Sequence, residues 1–344
     1  MILFDSDYQE GCLPQILEAL AKTNMEQTPG YGLDPYCEKA EDLIREECGT
    51  PDAAVHFLVG GTQTNATVVS YILKSYQGAI CADTGHINVH ETGAVEHTGH
   101  KVLVLPSRDG KITATQIDHA MTVHDQDCVK EHTVQPGLVY ISFPTECGSI
   151  YYKSELEDIH AVCVKWGLPL FIDGARMGYG LCAEDCDVTI KDIAALADAF
   201  YIGGTKQGAL FGEAVVFRNK DFAPDFRYSI KQNGAMLAKG RLLGIQFGVL
   251  FTDGLYYKAS READRKAMRI RDAFRKKGIT FLVDSTTNQQ FPILNEKQMA
   301  SLAVKFSFEQ WQKLDAGRCA ARFCTSWATT DEAVDQLISE IKKL

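Results

Sequence analysis

No stretch of this 344-residue chain is apolar for long enough to span a bilayer, and no basic segment followed by an apolar core opens it. It therefore reads as a soluble, unexported, cytoplasmic protein. No run of lysines and arginines offsets the formal net charge of −10, which argues against nucleic acid or an anionic membrane as partner. Cysteine is present in an odd number, eleven, without a CxxC pair. Cys182 and Cys186, like Cys319 and Cys324, lack neighbouring histidines, so reduced packing residues are expected rather than disulfides or a zinc site. HEXXH, GxxxxGK[ST] and GxGxxG are all missing. A nucleotide is not favoured, and a metal site is not expected. Repeats, low-complexity tracts and flexible linkers are absent too.

What remains is small-molecule chemistry on a chain that is 45% apolar, enough to bury one large domain and one smaller one. Helices are expected over 13–22 and 34–48, the second with Pro35 in its first turn and Gly49 at its end. From 53 to 217 apolar strands alternate with helical patterns. Strands fall at 53–59, 79–82, 101–106, 137–143, 168–173, 199–202 and 214–217, and helices at 113–124 and 153–166. That alternation predicts an α/β fold with a mostly parallel sheet covered on both faces. Beyond 225 the pattern is helical to 277, with an apolar segment at 242–251. A shorter α/β unit follows: strands near 279–283, 290–294, 306–314 and 318–327, and helices near 297–304 and 331–343.

Several strand ends carry chemistry. The first apolar strand of AFYIGGTKQGALFGEAVVF (199–217) breaks at Gly203 and Gly204, and the following turn presents Lys206. Burial strips water from an ammonium and favours the neutral, nucleophilic amine that a Schiff-base lysine needs. A lysine stem snorkelling past the core is the alternative. Asp173 closes another apolar strand, at the edge where open α/β sheets bind ligands. A carboxylate there can keep a pyridine nitrogen protonated, turning the ring of pyridoxal phosphate into an electron sink. Gly60, Gly61 and Thr62 follow a strand and precede a helix, which suits a phosphate cup. His86 could lie flat on a cofactor ring. Glu146, after the 137–143 strand, is a candidate acid or base, or a solvated loop residue.

With Ser6-Asp7, YGLDP (31–35), GGTQTN (60–65), GHINVHETG (85–93), DGAR (173–176), GTK (204–206) and ARFCT around Arg322 in order, the chain resembles the threonine aldolases of the β-eliminating lyase group. The resemblance implies fold type I of the pyridoxal phosphate enzymes. It implies a large domain over 1–245 with a mostly parallel seven-stranded sheet, residues 1–12 contributing to the active site, and a small domain over 246–344. It further implies pyridoxal 5′-phosphate as cofactor and a homotetramer with active sites at subunit interfaces. The implied reaction cleaves β-hydroxy-α-amino acids to glycine and an aldehyde. Another β-elimination, a transamination or a racemisation on the same cofactor is the alternative.

By the same resemblance Lys206 would carry the cofactor, Asp173 hold its ring nitrogen, His86 stack on the ring, and Gly60, Gly61 and Thr62 bind its phosphate. Ser6, Arg176 and Arg322 would bind the substrate carboxylate, with Arg176 also beside the cofactor and Tyr31 beside the substrate. Lys231 would approach a neighbouring subunit's phosphate. Many members carry a histidine where this chain has Glu146, so that histidine's role does not transfer.

Overall fold

The computed structural model describes residues 1–315 and 317–344. Strand β1 (Ile2–Leu3) is followed by helices α1 (Pro14–Lys22) and α2 (Pro35–Cys48). In α2, the Asp34 carboxylate accepts from the N–H groups of Tyr36 and Cys37, and Gly49 closes the helix at φ 65°, a left-handed backbone that glycine adopts without a Cβ penalty. Next come β2 (Ala54–Leu58), α3 (Gly61–Ile72), β3 (Gln77–Ala82), the short helices α4 (His86–Val89) and α5 (Ala94–His97), β4 (Lys101–Leu105) and α6 (Ala114–Gln126). The alternation continues through β5 (Gln135–Ser142), α7 (Lys153–Trp166), β6 (Leu170–Asp173), α8 (Met177–Cys182), α9 (Ile190–Leu196), β7 (Ala199–Gly203) and β8 (Glu213–Phe217).

These strands form one seven-stranded sheet in the order β2-β8-β7-β6-β5-β3-β4. All its pairings are parallel except those of β8, which runs antiparallel to β2 and β7. Every residue of β6, β7 and β8 is buried, the near-continuous apolar reading of a sheet covered on both faces. The antiparallel placement of β8 matters for chemistry. It puts the first residue, Glu213, opposite Gly203 at the end of β7 and Leu58 at the end of β2.

Helices α10 (Phe226–Gln232), α11 (Arg241–Phe251) and α12 (Leu255–Lys276) lead to the smaller unit. It is built from β9 (Gln289–Gln290), β10 (Ile293–Asn295), α13 (Glu296–Ala303), β11 (Phe306–Ser307), β12 (Glu309–Asp315), β13 (Arg318–Cys324) and α14 (Asp331–Ile341). The division expected after 245 falls inside α11, whose Phe247 and Leu250 pack in the core beside the large sheet. The second core begins at Ile270 on α12 and includes Phe274, Phe323 and Leu337. Phe4 belongs to it as well, and β1 pairs in parallel with β11. The first residues of the chain are thus built into the C-terminal unit.

Three local expectations need correction. The strand expected at 279–283 is reduced to a single bridge between Phe281 and Pro292, because Ile279 and Phe281 turn into the second core instead of forming a ladder. The strand expected at 306–314 is two, β11 and β12, with different partners. Helices α8 and α9 were not expected; Gly178 and Gly180 interrupt the apolar pattern of α8. They do so because the helix packs tightly: a Cβ on Gly178 would stand 2.4 Å from Gln207, and one on Gly180 2.8 Å from Phe143.

The eleven cysteines are all free, and eight of them are buried, as expected for packing residues. Among the described residues no helix is long and apolar enough to cross a membrane, and no cluster of metal-ligating side chains occurs.

Candidate active site

At the carboxyl edge of the sheet lies a cavity of about 340 Å³ lined by Gly60, Gly61, Thr62, His86, Glu146, Asp173, Arg176, Lys206 and Glu213, among others. A larger depression of about 760 Å³ lies on the small unit around Met299 and Phe306, but its carboxylates and cations are exposed. The buried charges gather in the smaller cavity.

Its floor is Asp173, 4% exposed. Oδ1 accepts from Tyr201 Oη (2.5 Å) and the Ala175 N–H (2.9 Å), and Oδ2 from Tyr140 Oη (2.6 Å) and Asn65 Nδ2 (3.0 Å). Burial is the largest influence on this carboxyl and pushes its pKa up. The charge of His86 and the donated hydrogen bonds outweigh it, holding the acid below the usual carboxylate range. Asp173 is a fixed anion.

Asn65 also donates to Glu91 Oε1 (2.8 Å), which pairs with His86 Nδ1 at 2.7 Å. With Glu91 holding Nδ1, the other ring nitrogen of His86 is left for the cavity. Glu146 is buried, not solvated: its Oε1 accepts from Ser142 Oγ (2.6 Å) and the His86 N–H (2.9 Å). Burial, assisted by the nearby charge of Asp173, raises its pKa.

Lys206 reaches the cavity because the turn before it is made of two glycines. A Cβ on Gly203 would stand 2.3 Å from the Ala175 carbonyl, and one on Gly204 2.7 Å from that of Gly212. Its amine has no ion-pair or hydrogen-bond partner among the described residues. Desolvation foremost, and then the Arg176 guanidinium, lower its pKa against the pull of Asp7, Asp173 and Glu213. Arg176 is itself engaged: Nε donates to Asp7 Oδ2 (2.7 Å) and Nη2 to Asp7 Oδ1 (3.0 Å). The fully buried Asp7 also accepts from Asn288 at 2.9 Å.

In the same lining as Asp173 is the amino end of α3. Thr64 makes that helix's first backbone bond, to the Gly60 carbonyl at 3.0 Å. The preceding N–H groups of Gly61, Thr62 and Gln63 have no partner among the described residues, and they meet the positive end of the helix dipole. A Cβ on Gly61 would stand 3.2 Å from the Tyr201 hydroxyl, so backbone can approach a ligand there closely.

Residues 4–297 match the beta-eliminating lyase family. The chain belongs to it. A low specificity L-threonine aldolase of Pseudomonas aeruginosa is 31% identical over 343 residues, spanning 98% of this chain and 96% of that protein. A solved threonine aldolase structure from Leishmania major is 44% identical, with a TM-score of 0.97 over 100% of this chain and 99% of that one. A putative L-allo-threonine aldolase structure from Listeria monocytogenes, 19% identical, shares the fold at a TM-score of 0.75 over 98% and 97% of the two chains. The fold is that of the fold type I pyridoxal phosphate enzymes. The residues present fit this beta-eliminating lyase's cofactor: a deep anion for a protonated ring nitrogen, free N–H groups for a phosphate, and an unpaired, half-buried amine in the same lining.

The remaining expected site residues lie elsewhere. Arg322 is held outside the cavity lining, donating to the Asp5 carbonyl at 2.9 Å, paired with Glu309 and 5.1 Å from the Trp311 ring. Ser6 does not line the cavity either, although its neighbour Tyr8 does. Tyr31 and Lys231 meet each other, the ammonium 4.8 Å from the ring, and neither lines the cavity that holds Lys206. Sequence reasoning assigned no role to Asp7, Asn65 and Glu91, although all three stand inside quoted motifs. It missed Tyr140, Tyr201 and Glu213 altogether. The available signal was a polar group on each of three otherwise apolar strands.

Proposed function

We propose that this chain cleaves L-threonine and L-allo-threonine, as β-hydroxy-α-amino acids, between Cα and Cβ to give glycine and an aldehyde. The observation that carries the reading is the half-buried, desolvated and unpaired amine of Lys206 in one cavity with the fixed anion of Asp173. When bound, pyridoxal phosphate supplies the electron sink that takes up the pair left on Cα.

The chain's own residues supply position and protons. Lys206 holds the cofactor, Asp173 keeps a proton on the ring nitrogen, and His86, oriented by Glu91, lies against the ring. The N–H groups of Gly61 and Thr62, with Gly60 before them, hold the phosphate, and Lys231 of a neighbouring subunit reaches it in a homotetramer. Arg176, the cation in the cavity lining, fixes the substrate carboxylate. That orients the Cα–Cβ bond for cleavage. Glu146 takes the proton from the β-hydroxyl, directly or through water, and burial makes it a stronger base than a solvated glutamate. Its free cysteines suit a reducing cytoplasm.

Incubating purified protein with L-threonine and L-allo-threonine separately, and measuring acetaldehyde and glycine, tests the reading. Wild type should release both products, and Lys206→Ala should abolish release. Pyruvate, a keto acid or the D-isomer in place of glycine would assign a different reaction to the same pocket.

A further inference from the structure

Glu213 is the one acid lining the cavity that the reaction above does not use. It opens β8 and is 3% exposed. Oε1 accepts from Thr205 Oγ1 at 2.9 Å, and Oε2 from the Gly204 N–H at 3.2 Å. Holding that turn does not require an acid. The Gly204 N–H is already bonded to the Gly212 carbonyl at 3.0 Å, and the Thr205 hydroxyl accepts from the Gly212 N–H at 3.0 Å, so an amide oxygen on the hydroxyl would serve. Glu213 forms no ion pair among the described residues. The buried Glu213 and the half-buried Lys206, of opposite charge, therefore face one cavity with neither neutralised by a contact ion pair among the described residues.

We propose that Glu213 is the proton partner of Lys206, the two groups sharing one proton inside the pocket. Because the two groups are not in contact, water in the cavity relays the proton: an N–H bond of the Lys206 ammonium breaks to a water as that water gives a proton to Glu213, forming its O–H bond. Ammonium and carboxylate become amine and carboxylic acid, with no proton released and no change in net charge. The free amine is then available without moving charge between pocket and solvent. Glu213 is a positioning residue in this role, and the inference rests on the reading of Lys206 given above.

The electrostatics agree with the geometry. Burial raises Glu213 to about 8, opposed by the Thr205 hydrogen bond and the charge of Lys206, while Asp173 acts in the same direction as burial. Tyr201 and Tyr256, buried nearby, feel its charge. Lys206 is lowered by burial and Arg176 and raised by Asp7, Asp173 and Glu213. His90 and Cys324 also feel its charge. Two sites so coupled titrate as a pair.

The test is competitive amine labelling of the full chain freed of cofactor, from pH 5 to 10, with Lys206 quantified by peptide mass spectrometry. In wild type, labelling should rise in two steps. In Glu213→Gln it should rise in one step, at a pH lower by about one unit, or about tenfold faster near the midpoint. Thr205→Val keeps the acid but removes the hydroxyl contact, and should retain both steps. A Glu213→Gln profile that superimposes on wild type overturns the proposal, as does an equal shift in Thr205→Val. If Glu213→Gln does not melt cooperatively, carbon-13 NMR of the wild-type Glu213 carboxyl decides. Midpoints shared with Lys206 labelling support the pair, and independent midpoints overturn it. Labelling needs no turnover, so wild type that releases no aldehyde would refute the aldolase reading while leaving this result to stand alone.

Discussion

Removing the Asp7 carboxylate should destabilise the fold far more than its place near a chain terminus suggests. Its oxygens take two bonds from Arg176, at 2.7 and 3.0 Å, and one from Asn288 at 2.9 Å, and both members of the ion pair are at most 10% exposed. Charge centres about 4 Å apart attract by about 4 kcal/mol at an effective dielectric constant of about 20. Breaking such a pair strands a buried guanidinium, and losses of about 3–5 kcal/mol are usual. Asp7→Ala should lose that much in urea denaturation at pH 7 and fixed protein concentration. Asp7→Asn, which keeps one oxygen, should lose about half. A pH series adds a sign. Burial is the largest influence on Asp7 and raises its pKa, but Arg176 and Lys206 outweigh it, so the folded value lies below the unfolded one. The stabilisation is therefore present above the unfolded value of about 3.9 and lost as pH falls through the folded one. The gap between wild type and Asp7→Asn should narrow below about pH 4. By contrast Asp335→Ala, at an exposed pair with Arg269, should change stability by less than about 1 kcal/mol. If Asp7→Ala loses no more than Asp335→Ala, or its deficit is the same at pH 3.5 and 7, the reasoning is wrong.

Two further outcomes follow from buried carboxyls with few donors. Asp264 on α12 is 4% exposed, neither oxygen has a hydrogen-bond partner among the described residues, and burial raises its pKa well above the usual range, though the Asn288 N–H approaches it. A raised folded value means stability is full below about pH 3.9 and declines as pH rises toward that value. Asp264→Asn should then gain about 1–3 kcal/mol at pH 8 and little at pH 4, read as thermal midpoints in matched buffers. Glu146→Gln should slow aldehyde release from threonine by about 10²–10⁴ and remove the acid limb of the kcat/KM profile. An unchanged rate with an unchanged limb would take the base role from Glu146.

Where local chemistry decides a feature, the sequence displays it. Helix α7 spans the expected 153–166 because its apolar spacing persists up to Gly167, and Pro35 and Gly49 bracket α2 as their backbone preferences require. Lys206 and Asp173 were legible for the same kind of reason. A charged residue at the end of a buried strand is costly enough to need a use. What local chemistry does not decide stayed hidden. Phe281 satisfies the second core without a ladder, so its strand pattern was spent on packing. Arg322, apt by type for a carboxylate, meets Glu309 and the Asp5 carbonyl instead.

The acids of this protein show why such pairings matter more than residue type. All are carboxylates driven from water, and desolvation alone would raise every one. Asp173, with four donors, and Asp7, with three from two residues, fall below the usual range. Glu146 and Glu213, with two donors each, rise. Asp264, whose oxygens have no geometric hydrogen-bond partner among the described residues, rises as well. The direction follows whether nearby cations, His86 for Asp173 and Arg176 with Lys206 for Asp7, together with N–H and O–H donors, offset lost hydration. Those donors come from residues as distant as Asn65 from Asp173 or Arg176 from Asp7. Fixed anions at Asp7 and Asp173 suit holding a guanidinium and a ring nitrogen, whereas Glu146 is raised by burial and Glu213 is raised to about 8, which suits exchanging a proton. The cavity thus separates Asp173, a binding acid, from Glu146 and Glu213, proton-transferring acids, by the charges and donors that surround each, which no local sequence pattern records.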